Sequence, residues 1–146
     1  MNGRKENAEA AEVAQRTQRS PETENDFSRE IIGAAVEVQR ELGTGLLESA
    51  YAAALAIEMA DRGIFFEQEV PVTGHYKGRP LGVAYRADFI VERSVIVEVK
   101  AIDAVTELHR AQLLSYLRLT NLRLGLLINF HEFPVSRGVN RLVNKL

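Results

Sequence analysis

Three charged residues border two strongly apolar runs near the middle of the chain. The runs are Phe89-Ile90-Val91 and Val95-Ile96-Val97, and the charged residues are Asp88, Glu98 and Lys100. The short polar break between the runs predicts a tight hairpin between two buried strands. Because residues two apart in a strand share a face, Glu98 and Lys100 should project side by side. Burying these charges is costly unless they pair with each other or bind a counter-ion.

A divalent cation held by Asp88 and Glu98 is one way to compensate the buried carboxylates. The chain of 146 residues has no cysteine, so carboxylates or histidine would have to hold the metal. Such ligands favour hard ions, and the expected cofactor is therefore Mg²⁺ or Mn²⁺. Mutual pairing of the charges is the plainer alternative. A salt bridge from Arg86, which should share a strand face with Asp88, is another.

The same residues carry a resemblance to a known family. Asp88, followed about ten residues later by Glu98-Val99-Lys100, resembles the D…(D/E)-x-K signature of the PD-(D/E)XK nuclease superfamily. Three further stretches resemble motifs of the GxxExxY family and of the RecB-like exonuclease branch, whose motif is Q-x-x-x-Y, and they follow the family's order. They are Gly45-Leu46-Leu47-Glu48-Ser49-Ala50-Tyr51, Gln112-Leu113-Leu114-Ser115-Tyr116 and Gly125-Leu126-Leu127-Ile128-Asn129-Phe130. The resemblance covers roughly residues 27 to 146.

The resemblance implies a divalent-metal-dependent nuclease that hydrolyses phosphodiester bonds, with DNA as the expected substrate. Asp88 and Glu98 would be the metal carboxylates, with the backbone carbonyl of Val99 as a further ligand. Lys100 would orient or help to deprotonate the attacking water, or stabilise developing charge. Glu48 would add a catalytic carboxylate from a helix and bind the metal directly or through water. A favourable charge in the first turn of a helix is the plainer interpretation of Glu48.

Tyr51, Gln112 and Tyr116 are the residues expected to bind substrate. Gln112 and Tyr116 are four apart and share a helix face, and His109, three residues before Gln112, could lie on it too. In the family that this chain resembles, the corresponding glutamine and tyrosine lie near the active site. Tyr51 lies three residues after Glu48 and should share its face. The plainer alternatives are a core tyrosine with a satisfied hydroxyl for Tyr51 and an ordinary surface glutamine for Gln112.

The order of apolar patterns predicts an α/β fold. Helices are expected over about 27–42, 47–61 and 105–120, and strands over about 64–72, 81–91, 95–101 and 123–130. A three-strand meander, a helix and a further strand match the mixed sheet, flanked by helices, of the restriction-endonuclease-like core that the resemblance requires. Residues 26–146 are expected to form a single domain. Residues 1–25, which have few large apolar side chains, are expected to form a disordered or loosely helical tail.

The distribution of charge bears on the partners. The net charge of −2 does not by itself indicate nucleic-acid binding. Residues 105–146, however, carry six basic and two acidic side chains. This basic C-terminal third could follow a phosphate backbone, or its arginines could simply form solvated faces. No segment is apolar enough to span a bilayer and no leader is evident, so a cytoplasmic location without a membrane partner is expected.

Two other classes of function stay open from the sequence. The chain could be a non-catalytic nuclease-fold module that binds or regulates and acts with a partner. For either function, a homodimer or an unknown protein partner stays open. Alternatively, the charges could form a closed ion network in an oligomeric scaffold. A metal ion that binds only the folded state raises stability, so the response of the melting temperature to Mg²⁺ separates these interpretations.

Overall fold

A five-stranded mixed sheet forms the centre of the molecule, and helices cover both of its faces. The computed structural model describes residues 21–145. Its elements in chain order are α1 (Pro21–Leu42), α2 (Glu48–Asp61), β1 (Phe66–Tyr76), β2 (Arg79–Val91), β3 (Val95–Lys100), α3 (Glu107–Thr120), β4 (Leu124–Asn129), a 3₁₀ turn (Val135–Gly138) and β5 (Val139–Val143). The predicted α/β architecture, with a meander, a helix and a further strand, is confirmed.

Helix α1 is longer than its apolar pattern predicts. It begins at Pro21 rather than near Phe27. A tail is expected over residues 1–25, and its first 20 residues lie outside the described residues. At the other end the helix stops at Gly43, as predicted, because Gly43 has a φ of 71° and its N–H closes the last turn by donating to the Gln39 carbonyl at 2.7 Å.

The strands follow the order β1-β2-β3-β4-β5. The β3–β4 pair is parallel and the other pairs are antiparallel, so α3 makes the crossover between the two parallel strands. On β3, Val97 and Val99 pack into the larger core cluster with α1 and α2, whereas Ile96 packs with α3. This alternation directs Glu98 and Lys100 to the α3 face, as the strand period predicts.

Strand β2 departs from simple alternation at Asp88. The sequence predicts one face for Tyr85, Ala87 and Phe89, but Ala87 packs on the α3 side while Phe89 packs on the opposite side. Glu69 has a φ of 51° and lies in β1 between the partners of Ala87 and Phe89. The prediction is therefore wrong at Phe89, because a local irregularity in the paired strands changes which side chains face α3.

Helix α2 buries a narrower stripe than predicted. Tyr51, Leu55 and Met59 are its buried residues. Leu47, expected on the inward face, and Ile57, expected there as an alternative to Glu58, are 78% and 64% exposed. Spacing of four residues places the buried stripe along one side of the helix, and the residues beside that stripe face solvent. Within residues 21–145, no helix is long and apolar enough to cross a lipid bilayer.

Candidate active site

A cavity of about 140 Å³ lies on the α3 face of the sheet, where β2 separates from β3. Strands β2, β3 and β4, the first residue of α2 and one face of α3 contribute its lining. The lining residues are Glu48, Arg86, Asp88, Glu98, Lys100, His109, Gln112, Leu113, Tyr116 and Leu127. The structure thus brings together most of the side chains that the sequence singled out for catalysis and substrate binding.

Asp88 and Glu98 replace the main-chain hydrogen bonds at the point where the two strands diverge. The last β2–β3 pair on this side is Phe89 with Val97. Beyond it, the Asp88 N–H donates to Glu98 Oε2 at 3.1 Å, and the Val99 N–H donates to Asp88 Oδ2 at 2.8 Å. Each carboxylate therefore satisfies a backbone donor that the diverging strands leave open, and this fixes the two acids facing each other.

The electrostatics of this pair favour a bound cation. Glu98 is 7% exposed, and burial, followed by the neighbouring Asp88 carboxylate, raises the pKa of Glu98 to about 9. Lys100 acts in the opposite direction but is the smaller influence. A positive ion between the two carboxylates would favour their charged forms and relieve the repulsion.

Glu48 lies at the same cavity on the first turn of α2. Partial burial raises its pKa, Lys100 lowers it and Asp88 raises it, so the three groups are within electrostatic reach of one another. Among the described residues, however, no three histidine, aspartate or glutamate side chains are arranged to hold a metal ion. Both roles expected for Glu48, as a direct ligand or through water, therefore stay predictions.

The donor set nevertheless suits a hydrated hard cation. Asp88 and Glu98 offer carboxylate oxygens, which Mg²⁺ prefers. Mg²⁺ keeps several of its waters and needs only one or two protein carboxylates. Val99 presents its side chain to the opposite core and its N–H to Asp88, and its carbonyl stays a predicted ligand.

Helix α3 presents one face to the cavity. His109, Gln112 and Tyr116 recur at helical spacing and all line it, so Gln112 and Tyr116 share a face as predicted. The helix is capped by Thr106, whose Oγ1 accepts from the His109 N–H at 3.4 Å, while the Thr106 N–H donates to His109 Nδ1 at 3.0 Å. This reciprocal capping holds the imidazole at the cavity. Sequence reasoning noted His109 only as a neighbour of Gln112, and the Thr106-x-x-His109 spacing is the local signal for it.

Tyr116 is held by a second tyrosine that sequence reasoning missed. The rings of Tyr85 and Tyr116 stack at 3.5 Å between centroids and 9° between planes. The Tyr85 hydroxyl also donates to the Tyr116 carbonyl at 3.4 Å. Burial and the negative charge of Glu98 raise the pKa of both phenols, which therefore stay neutral hydrogen-bond donors. No spacing in the sequence links these two residues, because one lies on β2 and the other on α3.

Tyr51 does not reach the cavity. Its side chain is 0% exposed and its ring stacks on Phe130 at 4.7 Å. Its hydroxyl donates to the Gly43 carbonyl at 2.7 Å and accepts from the Leu46 N–H at 3.2 Å. The expectation that Tyr51 binds substrate is corrected, because the residue is a core tyrosine with a satisfied hydroxyl. It braces the loop that leads into Glu48 and so positions that acid indirectly.

Arg86 is a cavity residue that the sequence suggested only as a partner for Asp88. It is exposed and lines the cavity. Within the described part of the chain its side chain has no hydrogen bond or ion pair, so the Arg86–Asp88 salt bridge that the sequence left open is absent there. An unpaired guanidinium at the edge of a carboxylate-lined cavity is available for an anionic group of a substrate.

The fold and the cavity together define an α/β protein with two facing carboxylates and a lysine where two strands diverge. Residues 25–142 match the family model of the PD-(D/E)XK nuclease superfamily, and the chain belongs to this superfamily. The predicted superfamily and restriction-endonuclease-like fold are thereby confirmed, and membership indicates a nuclease. Searches among curated proteins and solved structures gave no match to the chain.

Proposed function

We propose that the chain is a divalent-metal-dependent nuclease of the GxxExxY branch that hydrolyses phosphodiester bonds in DNA. The observation that carries this proposal is the convergence of Asp88, Glu98 and Lys100 on one cavity. The superfamily to which the chain belongs supports it. The same convergence is hard to explain as a purely structural device, because a buried carboxylate that faces a second, half-buried one is unfavourable without a cation.

Asp88 and Glu98 would hold Mg²⁺ or Mn²⁺, with the Val99 carbonyl as a further ligand. A bound divalent ion lowers the pKa of water and neutralises charge on phosphate oxygens. Lys100 lies beside Glu98 on the α3 face of β3, where its ammonium orients the attacking water or stabilises charge that develops on the phosphate. Glu48, at the first turn of α2, would act through water rather than as a direct ligand.

The substrate side of the cavity is formed by α3. Gln112 offers an amide that can donate to a phosphate oxygen or pair with a base edge. Tyr116 offers a neutral hydroxyl and a ring that Tyr85 already holds in place. Leu113 and Leu127 supply the apolar part of the lining. Together these groups suit a flexible polar ligand that carries a phosphate at one end and a planar group at the other end.

The test is a cleavage panel of single-stranded and double-stranded DNA and RNA with Mg²⁺, Mn²⁺ or EDTA. Wild type should cleave DNA only when a divalent ion is present. Lys100→Ala and Glu98→Gln should each lose about 100-fold or more of the rate, as expected when a proton-transferring or charge-stabilising group is removed. Lys145→Ala, which removes an exposed lysine beyond β5, is the matched control and should keep the rate. Wild type that binds neither ion and cuts no substrate would end the proposal.

A non-catalytic nuclease-fold module that acts with a partner is the second candidate. One observation favours it: Asp88 and Glu98 already accept backbone hydrogen bonds, and no third acid joins them in a metal-binding group among the described residues. This candidate predicts that wild type binds nucleic acid without cutting it under every metal condition of the same panel.

A further inference from the structure

The hairpin of β1 and β2 extends past the strand that supports it. Strand β3 pairs with β2 only from Phe89 to Val91, whereas β1 and β2 continue together to the turn between Tyr76 and Arg79. We call residues 70–87 the hairpin arm. Every residue from His75 to Ala84 is exposed, so the arm meets solvent on both faces at its tip. The tip of the arm, from His75 to Ala84, belongs to neither core cluster and is free to contact a partner.

The charge of the hairpin arm differs from that of the rest of the chain. It contains Lys77, Arg79 and Arg86, together with His75, and no aspartate or glutamate, although the whole chain has a net charge of −2. Within the described residues, none of these three cations forms an ion pair. The Lys77 ammonium lies over the neighbouring Tyr76 ring, 5.3 Å from its centroid. The arm therefore carries uncompensated positive charge.

Several arginines of the basic C-terminal third, by contrast, form ion pairs or hydrogen bonds within the protein. Arg110 pairs with Glu107 at 2.7 Å, and Arg123 approaches Glu24 at 3.9 Å. Arg141 donates to the Ser28 hydroxyl at 3.0 Å. Arg123 and Arg141 thereby connect α1 to the sheet, and Arg110 also donates to Asn140 Oδ1 on β5 at 2.9 Å. The hairpin arm is consequently the stronger candidate for an anionic partner.

The hairpin arm connects directly to the cavity. Arg86 lines the cavity, and Arg79 lies at the start of the same strand, next to the turn. Extended strand rises about 3.3 Å per residue, so the two guanidinium-bearing residues are separated by at most about 23 Å, and by less where the register shifts of the arm take up residues. A nucleic-acid strand advances about 3.4 Å per nucleotide in a B-form duplex, so this length spans at most about seven phosphates. The positive charge thus follows a path that leads away from the reacting groups.

The tip of the hairpin arm also offers apolar contacts. Tyr76, Leu81 and Val83 are 62%, 64% and 52% exposed. An exposed tyrosine beside a lysine is a combination that binds bases and phosphates together. Register shifts next to Thr73 and His75 twist the arm, and the Leu119 side chain on α3 packs near Gly74. The arm therefore lies close to α3, the helix that forms the substrate side of the cavity.

We propose that the hairpin arm is a nucleic-acid-binding surface whose cations contact the phosphates of the strand that runs out of the cavity. The inference rests on the proposed nuclease function, which it deepens by naming where the substrate outside the cavity is held. Contacts to phosphates carry no sequence information, so binding through the arm is sequence-independent and weakens steeply with salt.

The experiment measures fluorescence anisotropy of labelled DNA in the Glu98→Gln background, so that binding is read without cleavage. The arm variant is Lys77→Gln with Arg79→Gln, and the control is Arg137→Gln with Lys145→Gln, two exposed cations near the opposite edge of the sheet. The arm variant should lose about tenfold or more in affinity near 0.1 M salt. The slope of log affinity against log salt should become shallower by about 1.8 for duplex or about 1.4 for single strands. The control should change neither quantity.

A second variant separates charge from folding. Lys77→Arg with Arg79→Lys keeps the positive charge and should keep both the affinity and the salt slope. Equal losses in the arm variant and the control, or a loss in this charge-preserving variant, would overturn the inference. A shift from dimer to monomer in the arm variant with unchanged DNA affinity would assign the arm to self-association and overturn it as well.

The two proposals fail in different ways. If the protein binds DNA through the hairpin arm but cuts nothing with any metal, the nuclease proposal fails and the arm inference stands. If the protein cuts DNA while the arm variant keeps its affinity, salt slope and KM, the arm inference alone fails.

Discussion

At the scale of single residues, Glu98 is the position where stability and chemistry oppose each other. Its carboxyl is buried beside Asp88, and that setting raises its pKa to about 9 in the protein without metal. Asp88 and Glu98 also accept hydrogen bonds from each other's strands, so neither can turn away. A site that is favourable for a cation is thus unfavourable for the empty protein, as is usual where function requires buried charge.

We expect Glu98→Gln to stabilise the metal-free protein by about 1 kcal/mol. The amide oxygen can still accept from the Asp88 N–H, and the amide group donates to the Asp88 carboxylate where two acids faced each other. Urea unfolding of the protein without metal measures the change. Glu67→Gln, at an exposed position of β1, is the control and should lie within about 0.5 kcal/mol of wild type. A clear destabilisation by Glu98→Gln would show that the buried negative charge is already compensated.

At the scale of secondary-structure elements, the ends of strands and helices position the site. Asn129 at the end of β4 is 2% exposed and accepts from the Ile102 N–H at 3.1 Å while donating to the Ile102 carbonyl at 2.9 Å. The Phe130 N–H donates to the Lys100 carbonyl at 2.8 Å. These bonds tie the end of β3 to the end of β4. The backbone that carries Lys100 is therefore fixed by polar contacts beyond the regular sheet.

The N-terminus of α3 is the second element end that positions the site. We expect Thr106→Ala to lower the free energy of unfolding by about 1 kcal/mol. The substitution removes the side-chain acceptor for the His109 N–H and one contact to the imidazole. Thermal or urea unfolding measures the loss. Thr106→Ser keeps the hydroxyl and should remain close to wild type. If alanine and serine behave alike, the cap does not stabilise the helix.

At the scale of the whole molecule, a metal ion that binds only the folded state must raise its stability. With Mg²⁺ at ten times its dissociation constant, the gain is about 1.4 kcal/mol, which raises the melting temperature of a domain of this size by a few degrees. Asp88→Asn should abolish the response because it removes one of two carboxylates. Sodium chloride at equal ionic strength is the control. An unchanged melting temperature in wild type would favour a closed ion network instead.

The sequence by itself determined the order of the elements as far as β4 and the local faces of the site. The strand period directed Glu98 and Lys100 to one side of β3, and helical spacing placed Gln112 and Tyr116 on one side of α3. Both results depend on distances of two to four residues, over which backbone geometry alone sets the direction of side chains. The motif order extended this local information to the superfamily, which the family comparison then confirmed.

Only the tertiary structure decided where those faces meet and which residues are left outside them. Asp88 turns into the cavity because β2 leaves β3 there, opposite an irregular Glu69 in a different strand. Tyr51 joins the core because Phe130, far along the chain, supplies a ring to stack on. The cations of the hairpin arm stay exposed because β3 ends its pairing early. Each outcome depends on contacts between residues that are distant in the sequence, and the periodicity of a single segment does not predict such contacts.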